Sequence, residues 1–223
     1  SLIDPANFVP KLIRVVTPIE IREPISQEVQ IAEETGTAFG STLDMDVGTL
    51  IHQYLEAFAS DGLEAWTAER ISALQPRFAR HLSSLGHEAE TVATAAAIVH
   101  DTLQNALRDD LSRWILGPHG DAGCEVPLSG LANAEDTDEI SATDFQRHVI
   151  DRTFIDDNTR WIIDYKTLRI DYPQDLDAVL KAKAESYRPQ LQRYAALYAH
   201  EIAQGLQIRT AIFFPAHGKL IEL

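Results

Sequence analysis

The sequence predicts an α/β fold: a mixed central β-sheet flanked by helices, entered through a helical N-terminal portion. Three observations predict it. Apolar residues recur at helical spacing over about 47–114. After Gly117-Pro118-His119-Gly120 the pattern changes to short β-branched and aromatic runs separated by turn formers. Helical spacing then returns over about 176–204, before two last short runs. Helices, three strands, a helix and two strands is an order that covers a sheet on both faces.

Residues 1–46 carry Pro5, Pro10, Pro18 and Pro24 between short apolar runs, a spacing that permits neither a long helix nor an undisturbed sheet. They are expected to form an irregular arm or linker, with the folded domain over 47–223. Leu50, Ile51, Leu55 and Phe58 give the first helix, with Asp44 or Asp46 as its expected N-cap. Two more helices follow, over about 63–85 with a break near Pro76, and over an alanine-rich 88–114. The strands are expected over 124–128, 145–155 and 160–167, forming a meander whose last turn is Asp156-Asp157-Asn158. The acidic stretch 132–143 reads as a solvated hairpin loop. Pro189 should limit or kink the long helix over 176–204, and 208–214 with 219–223 closes as a hairpin around Ala216-His217-Gly218.

The 223 residues are 45% hydrophobic, enough for one well-buried core. No apolar run reaches the roughly 18 residues of a membrane helix, so no membrane role is expected. The lone Cys124 forbids an internal disulfide and a cysteine-bound iron–sulfur cluster, in keeping with a reducing compartment. A formal charge of −15 disfavours long-range attraction to a phosphate backbone, so any nucleic-acid role must rest on a local site. The chain opens at Ser1 and its single methionine is Met45, which suggests a piece excised from a longer protein.

The chemistry gathers in Val149-Ile150-Asp151-Arg152 and, nine residues on, Arg160-Trp161-Ile162-Ile163-Asp164-Tyr165-Lys166-Thr167. Alternation along a strand puts Asp164 and Lys166 on one face, and the intervening turn sets Asp151 close to Asp164. Two adjacent carboxylates repel unless a cation joins them, and a hard divalent ion with oxygen ligands relieves that cost. The competing reading is a plain Asp164 to Lys166 ion pair on a wet strand face. In Gly48-Thr49-Leu50-Ile51-His52, the small residue one turn before the imidazole allows close approach to it, although a helical histidine is commonly only a packing residue. Tyr187, Gln190, Leu191 and Tyr194 form one helical stripe, either core-facing or carrying a polar member with a partner to find.

Taken together, GxxxHxxLE, a Glu-x-Pro strand, the IDR strand, IIDYKT and YxxQLxxY resemble, from about Gly48 onward, the RecB-type nuclease domain of the PD-(D/E)XK superfamily, a restriction-endonuclease-like core. The resemblance implies that His52, Asp151 and Asp164 bind a divalent metal, Mg2+ or Mn2+, with the Tyr165 backbone carbonyl as a further ligand and Lys166 as the catalytic lysine. It implies that Gln190 and Tyr194, with Tyr187 and Arg152 beside them, support the site and contact DNA. Glu125 matches an acidic position and is expected near the site without being a ligand. Where the family usually has glycine two residues before Asp151, this chain has Val149.

The activity so implied is metal-assisted, exonucleolytic hydrolysis of single-stranded DNA, in recombination and double-strand-break repair in the bacterial cytoplasm. A fused or partner ATP-dependent helicase would deliver the strand, which reconciles the acidic surface with a DNA substrate. The rival expectation is a non-catalytic DNA-binding or scaffolding module of the same fold.

Overall fold

A computed structural model of the chain describes residues 41–127, 149–170 and 175–223. The expected arm up to residue 40, the acidic loop 132–143 and the start of the second strand at 145–148 lie outside the described residues.

The first helix, α1, spans Ser41–Asp61. It therefore begins inside the stretch assigned to the arm, and the two expected caps, Asp44 and Asp46, lie within it. A short 3-10 turn at Leu63–Ala65 leads to α2, Ala68–Ser84, which Thr67 caps by accepting the Arg70 N–H. Pro76 does not break α2, contrary to expectation. It and Ser72, whose carbonyl it deprives of a donor, are both exposed, so water can take that carbonyl. The single helix expected over 88–114 is two, α3 at Ala89–Arg108 and α4 at Asp110–Leu116. Asp109 is extended and turns the chain, its carboxylate accepting from the Ser112 N–H and hydroxyl.

Three strands follow: β1 (Gly120–Pro127), β2 (Val149–Asp156) and β3 (Thr159–Tyr165). Asp157 and Asn158 both adopt positive φ, 44° and 61°, the geometry a two-residue hairpin turn demands. The long helix expected over 176–204 is divided into α5 (Leu176–Glu185), α6 (Arg188–Leu197) and α7 (Ala199–Ile202). Pro189 sits at the start of α6, where its missing N–H costs nothing. Strands β4 (Gln207–Phe214) and β5 (Lys219–Glu222) finish the chain.

The sheet has the order β1-β2-β3-β4-β5. Only β3 and β4 run parallel, because helices α5 to α7 carry the chain back between them; the other neighbours are antiparallel. One face packs on α1 to α4, joining Ile51, Leu55, Phe58, Phe78 and Leu103 to Phe154, Ile163, Tyr165 and Phe213. The other packs on α5 and α6, joining Leu180, Leu191 and Tyr194 to Ile162, Ile212 and Phe214. Burial on both faces explains why β3 reads Ile162-Ile163 instead of alternating apolar with polar.

At the far end of the sheet Arg160, 1% exposed, ties three elements together. Its Nε and Nη2 donate to Glu201 of α7 at 2.9 and 2.7 Å, Nη1 donates to the Asp121 carbonyl at 3.0 Å, and Nη2 also meets the Asp121 carboxylate. The Tyr198 ring covers the guanidinium at 4.9 Å.

Candidate active site

The ladder between β2 and β3 ends at Arg152 opposite Ile163. Beyond it the strands part. The Tyr165 N–H donates to the Asp151 carboxylate at 2.6 Å, whereas the next amide, Lys166 N–H, donates to the Phe213 carbonyl of β4 at 2.8 Å. Strand β3 thus stays with β4 and leaves β2. The alternation of β2 slips at the same place, since Ile150 and Phe154 have the same parity yet lie on opposite sides of the sheet. The expected hairpin therefore forms, but its open end is splayed, and the two aspartates look into different surroundings.

Asp151 faces α1 and β1. Its Oδ1 stands 3.4 Å from His52 Nδ1. One donor atom each from His52, Glu125 and Asp151 lie within 4.8 Å of one another. Glu125 is brought there by its backbone: φ is +49° in the middle of a strand, a left-handed conformation that a non-glycine residue adopts only at a cost. Burial, with the charges of Asp151 and Glu56, pushes its carboxyl above the usual range. Burial works against a charge on His52, yet the hydrogen bond and charge of Asp151 outweigh it and raise the imidazole pKa. The His52 ring also meets the edge of Tyr165, centroids 5.6 Å apart.

The closeness of α1 depends on Gly48. A Cβ there would stand 2.8 Å from the Thr167 hydroxyl, so the glycine and the threonine expected from the motifs are neighbours and let the imidazole reach β2.

Asp164, 3% exposed, faces α6 instead. Gln190 Nε2 donates to its Oδ1 at 3.1 Å, and Lys166 Nζ is 3.0 Å from its Oδ2 as an ion pair, the only cation set against that oxygen among the described residues. Burial raises the Asp164 pKa, Lys166 opposes the rise and Asp151 adds to it. Lys166 is pulled the other way: burial disfavours its charge, but Asp164 more than compensates, and the ammonium holds its proton beyond the usual lysine range.

Gln190 also donates to the Tyr194 hydroxyl at 2.6 Å, and that hydroxyl faces the Val149 carbonyl at 3.4 Å. Tyr194 is 1% exposed, so it braces Gln190 and has no surface to offer DNA. Arg152 likewise departs from its expected part. It is 3% exposed, with Nε, Nη2 and Nη1 donating to the Ile115 carbonyl, the Gly117 carbonyl and Cys124 Sγ, so every arm of the guanidinium is spent inside the protein. Tyr187 is half-buried at the rim, its ring 4.5 Å from Lys166 Nζ.

The donor set suits a divalent cation. Ligand atoms at about 2.0–2.4 Å from one ion stand no more than about 4–5 Å apart, and the His52, Glu125 and Asp151 atoms meet that limit. One nitrogen with carboxylate oxygens is a mixed donor set of a kind that binds divalent metals. Glu125 thus stands among the candidate ligands, closer in than the flanking position expected of it, and its turned backbone left no mark in the sequence.

A family model, the PD-(D/E)XK nuclease superfamily, matches residues 27–221. The chain belongs to the PD-(D/E)XK nuclease superfamily. A comparison with curated proteins finds no significant match. The five-stranded mixed sheet with helices on both faces is the core expected of a PD-(D/E)XK protein, and membership carries phosphodiester hydrolysis, typically with a divalent metal, as the family chemistry. No described helix is long and apolar enough to cross a membrane.

Proposed function

We propose that this chain is a RecB-type, Mg2+- or Mn2+-dependent deoxyribonuclease that cuts single-stranded DNA exonucleolytically in recombination and double-strand-break repair, fed by a fused or partner helicase. The observation that carries the reading is one cluster of cation-seeking donors, His52, Glu125 and Asp151, set beside the ion pair of buried Asp164 with half-buried Lys166.

In this reading His52, Asp151 and Glu125 would hold the ion; Asp164, which the resemblance also makes a ligand together with the Tyr165 carbonyl, lies outside that group and faces Lys166 and Gln190. A bound divalent ion supplies Lewis-acid polarisation of a phosphate oxygen and a more acidic water. Lys166, kept protonated by Asp164, offsets the negative charge gathering on the phosphate and orients the attacking water. Gln190, braced by Tyr194, fixes the rotamer of Asp164 so that neither charged group has to reorganise during the reaction. With a net charge of −15, capture from solution is weak, so cleavage by the domain alone should be slow and steeply salt-dependent.

The test is cleavage of a labelled single-stranded oligonucleotide in Mn2+ or Mg2+ at low salt, with calorimetric Mn2+ titration alongside. Lys166→Met should abolish cutting while leaving a Mn2+ site, and Asp151→Asn should remove both. Wild-type cutting rates in Lys166→Met would refute the reading, as would the absence of any specific Mn2+ site in the wild type.

A further inference from the structure

Two ammonium groups share the Tyr187 ring. Lys166 Nζ is 4.5 Å from its centroid and Lys183 Nζ is 5.7 Å. Lys183 comes from α5 and is half-buried, unlike its exposed neighbour Lys181. The acids around it are committed elsewhere. Asp175 caps the Ala178 N–H at 3.0 Å, Asp177 pairs with Lys219 at 3.2 Å and Glu185 pairs with Arg188 at 2.5 Å. Among the described residues no carboxylate is paired with Lys183.

Burial and the charge of Lys166 both act against the Lys183 ammonium. Two ammonium groups beside one aromatic ring repel each other unless an anion joins them. The arrangement is polarised: His52, Glu125 and Asp151 on the α1 side attract a cation, while Lys166 and Lys183 on the α5 side attract an anion. In an otherwise acidic chain this is a local positive patch at the rim of the site.

We propose that Lys183, with the ring of Tyr187, forms a phosphate subsite next to the scissile position, holding the phosphate of the neighbouring nucleotide. The inference rests on the nuclease reading and adds a binding residue to it. Lys166 answers the phosphate that is cut, and Lys183 the one beside it, so the strand is held at two points.

The experiment is equilibrium binding of a short 5′-hydroxyl oligodeoxythymidylate, labelled at its other end, to the full chain with Ca2+ present, over a series of KCl concentrations. Lys183→Met should weaken low-salt binding several-fold and reduce the slope of log Kd against log salt by about 0.7, the share of one single-strand phosphate contact. Lys183→Arg should restore both, and calorimetric Mn2+ affinity should not change in either variant. Should Lys183→Met fail to fold, Lys183→Gln gives the same readout. A matched 5′-phosphorylated oligonucleotide separates the sources: equal effects on both probes assign the subsite to an internal phosphodiester, and an effect confined to the phosphorylated probe assigns it to a terminal phosphate. An unchanged slope and affinity with both probes in Lys183→Met overturns the proposal. A wild type that binds Mn2+ but no oligonucleotide overturns the nuclease reading itself.

Discussion

Replacing Arg160 with methionine tests the energetics of the sheet most directly. The side chain is 1% exposed, and its loss leaves the Glu201 carboxylate, 11% exposed, with neither of its two guanidinium donors. Breaking a buried pair from one side costs about 3–5 kcal/mol, chiefly because the surviving charge is stranded away from water. Asp121 adds little, since its side chain is 74% exposed and water replaces the lost partner. Domains of this kind are stable by about 5–15 kcal/mol in total, so the variant should lose about a fifth or more of its stability. Urea denaturation followed by fluorescence suits the measurement, because Trp161 is the next residue on β3. The double variant Arg160→Met with Glu201→Leu should recover most of the loss, as the stranded charge is gone. A single-variant loss under about 1 kcal/mol, the range of an exposed pair, would refute the reasoning, and so would a double variant no better than the single one.

Three further outcomes are expected. Gly48→Val should weaken Mn2+ binding and cleavage by pressing α1 off Thr167, and adding Thr167→Ala should restore part of both; calorimetry on the two variants checks it. Burial pushes the Cys124 thiol up, with Arg152 pulling against it, so the group stays protonated through neutral pH and into the range where an ordinary thiol ionises. Iodoacetamide should therefore label it slowly at pH 8 in the native protein and much faster in urea, and equal rates would contradict that burial. Glu125→Gly should raise the thermal midpoint by a few degrees, because it relieves about 1–3 kcal/mol of backbone strain against a smaller entropic cost, while lowering Mn2+ affinity; calorimetry reads both.

The strands were legible because their period is short and their turns are spelled out. Asp157 and Asn158 are residue types that accept positive φ, and the motif residues Gly48 and Thr167 proved to be neighbours. Helix boundaries were less legible. Asp109 ends α3 from within a helix-forming stretch, and Asp44 looks like a cap although α1 begins before it. Within the site, Asp164 and Lys166 could be paired from strand alternation alone. The divergence of β2 from β3 could not, since it depends on which strand takes the Tyr165 and Lys166 amides. Arg152 was assigned to DNA because it follows Asp151, but the alternation of β2 slips there, and its guanidinium turns inward to the Ile115 and Gly117 carbonyls beside α4. Lys183 went unmarked because a helical lysine is ordinarily a solvated residue, and only the spent acids around it make it unusual.

The left-handed turn at Glu125 sets durability against capability at a single position. A laboratory selection that rewarded heat tolerance alone would favour glycine there, and would harvest sturdy, inert molecules. Selection that demanded chemistry would keep the glutamate, and any gain in ruggedness would have to come from elsewhere in the chain.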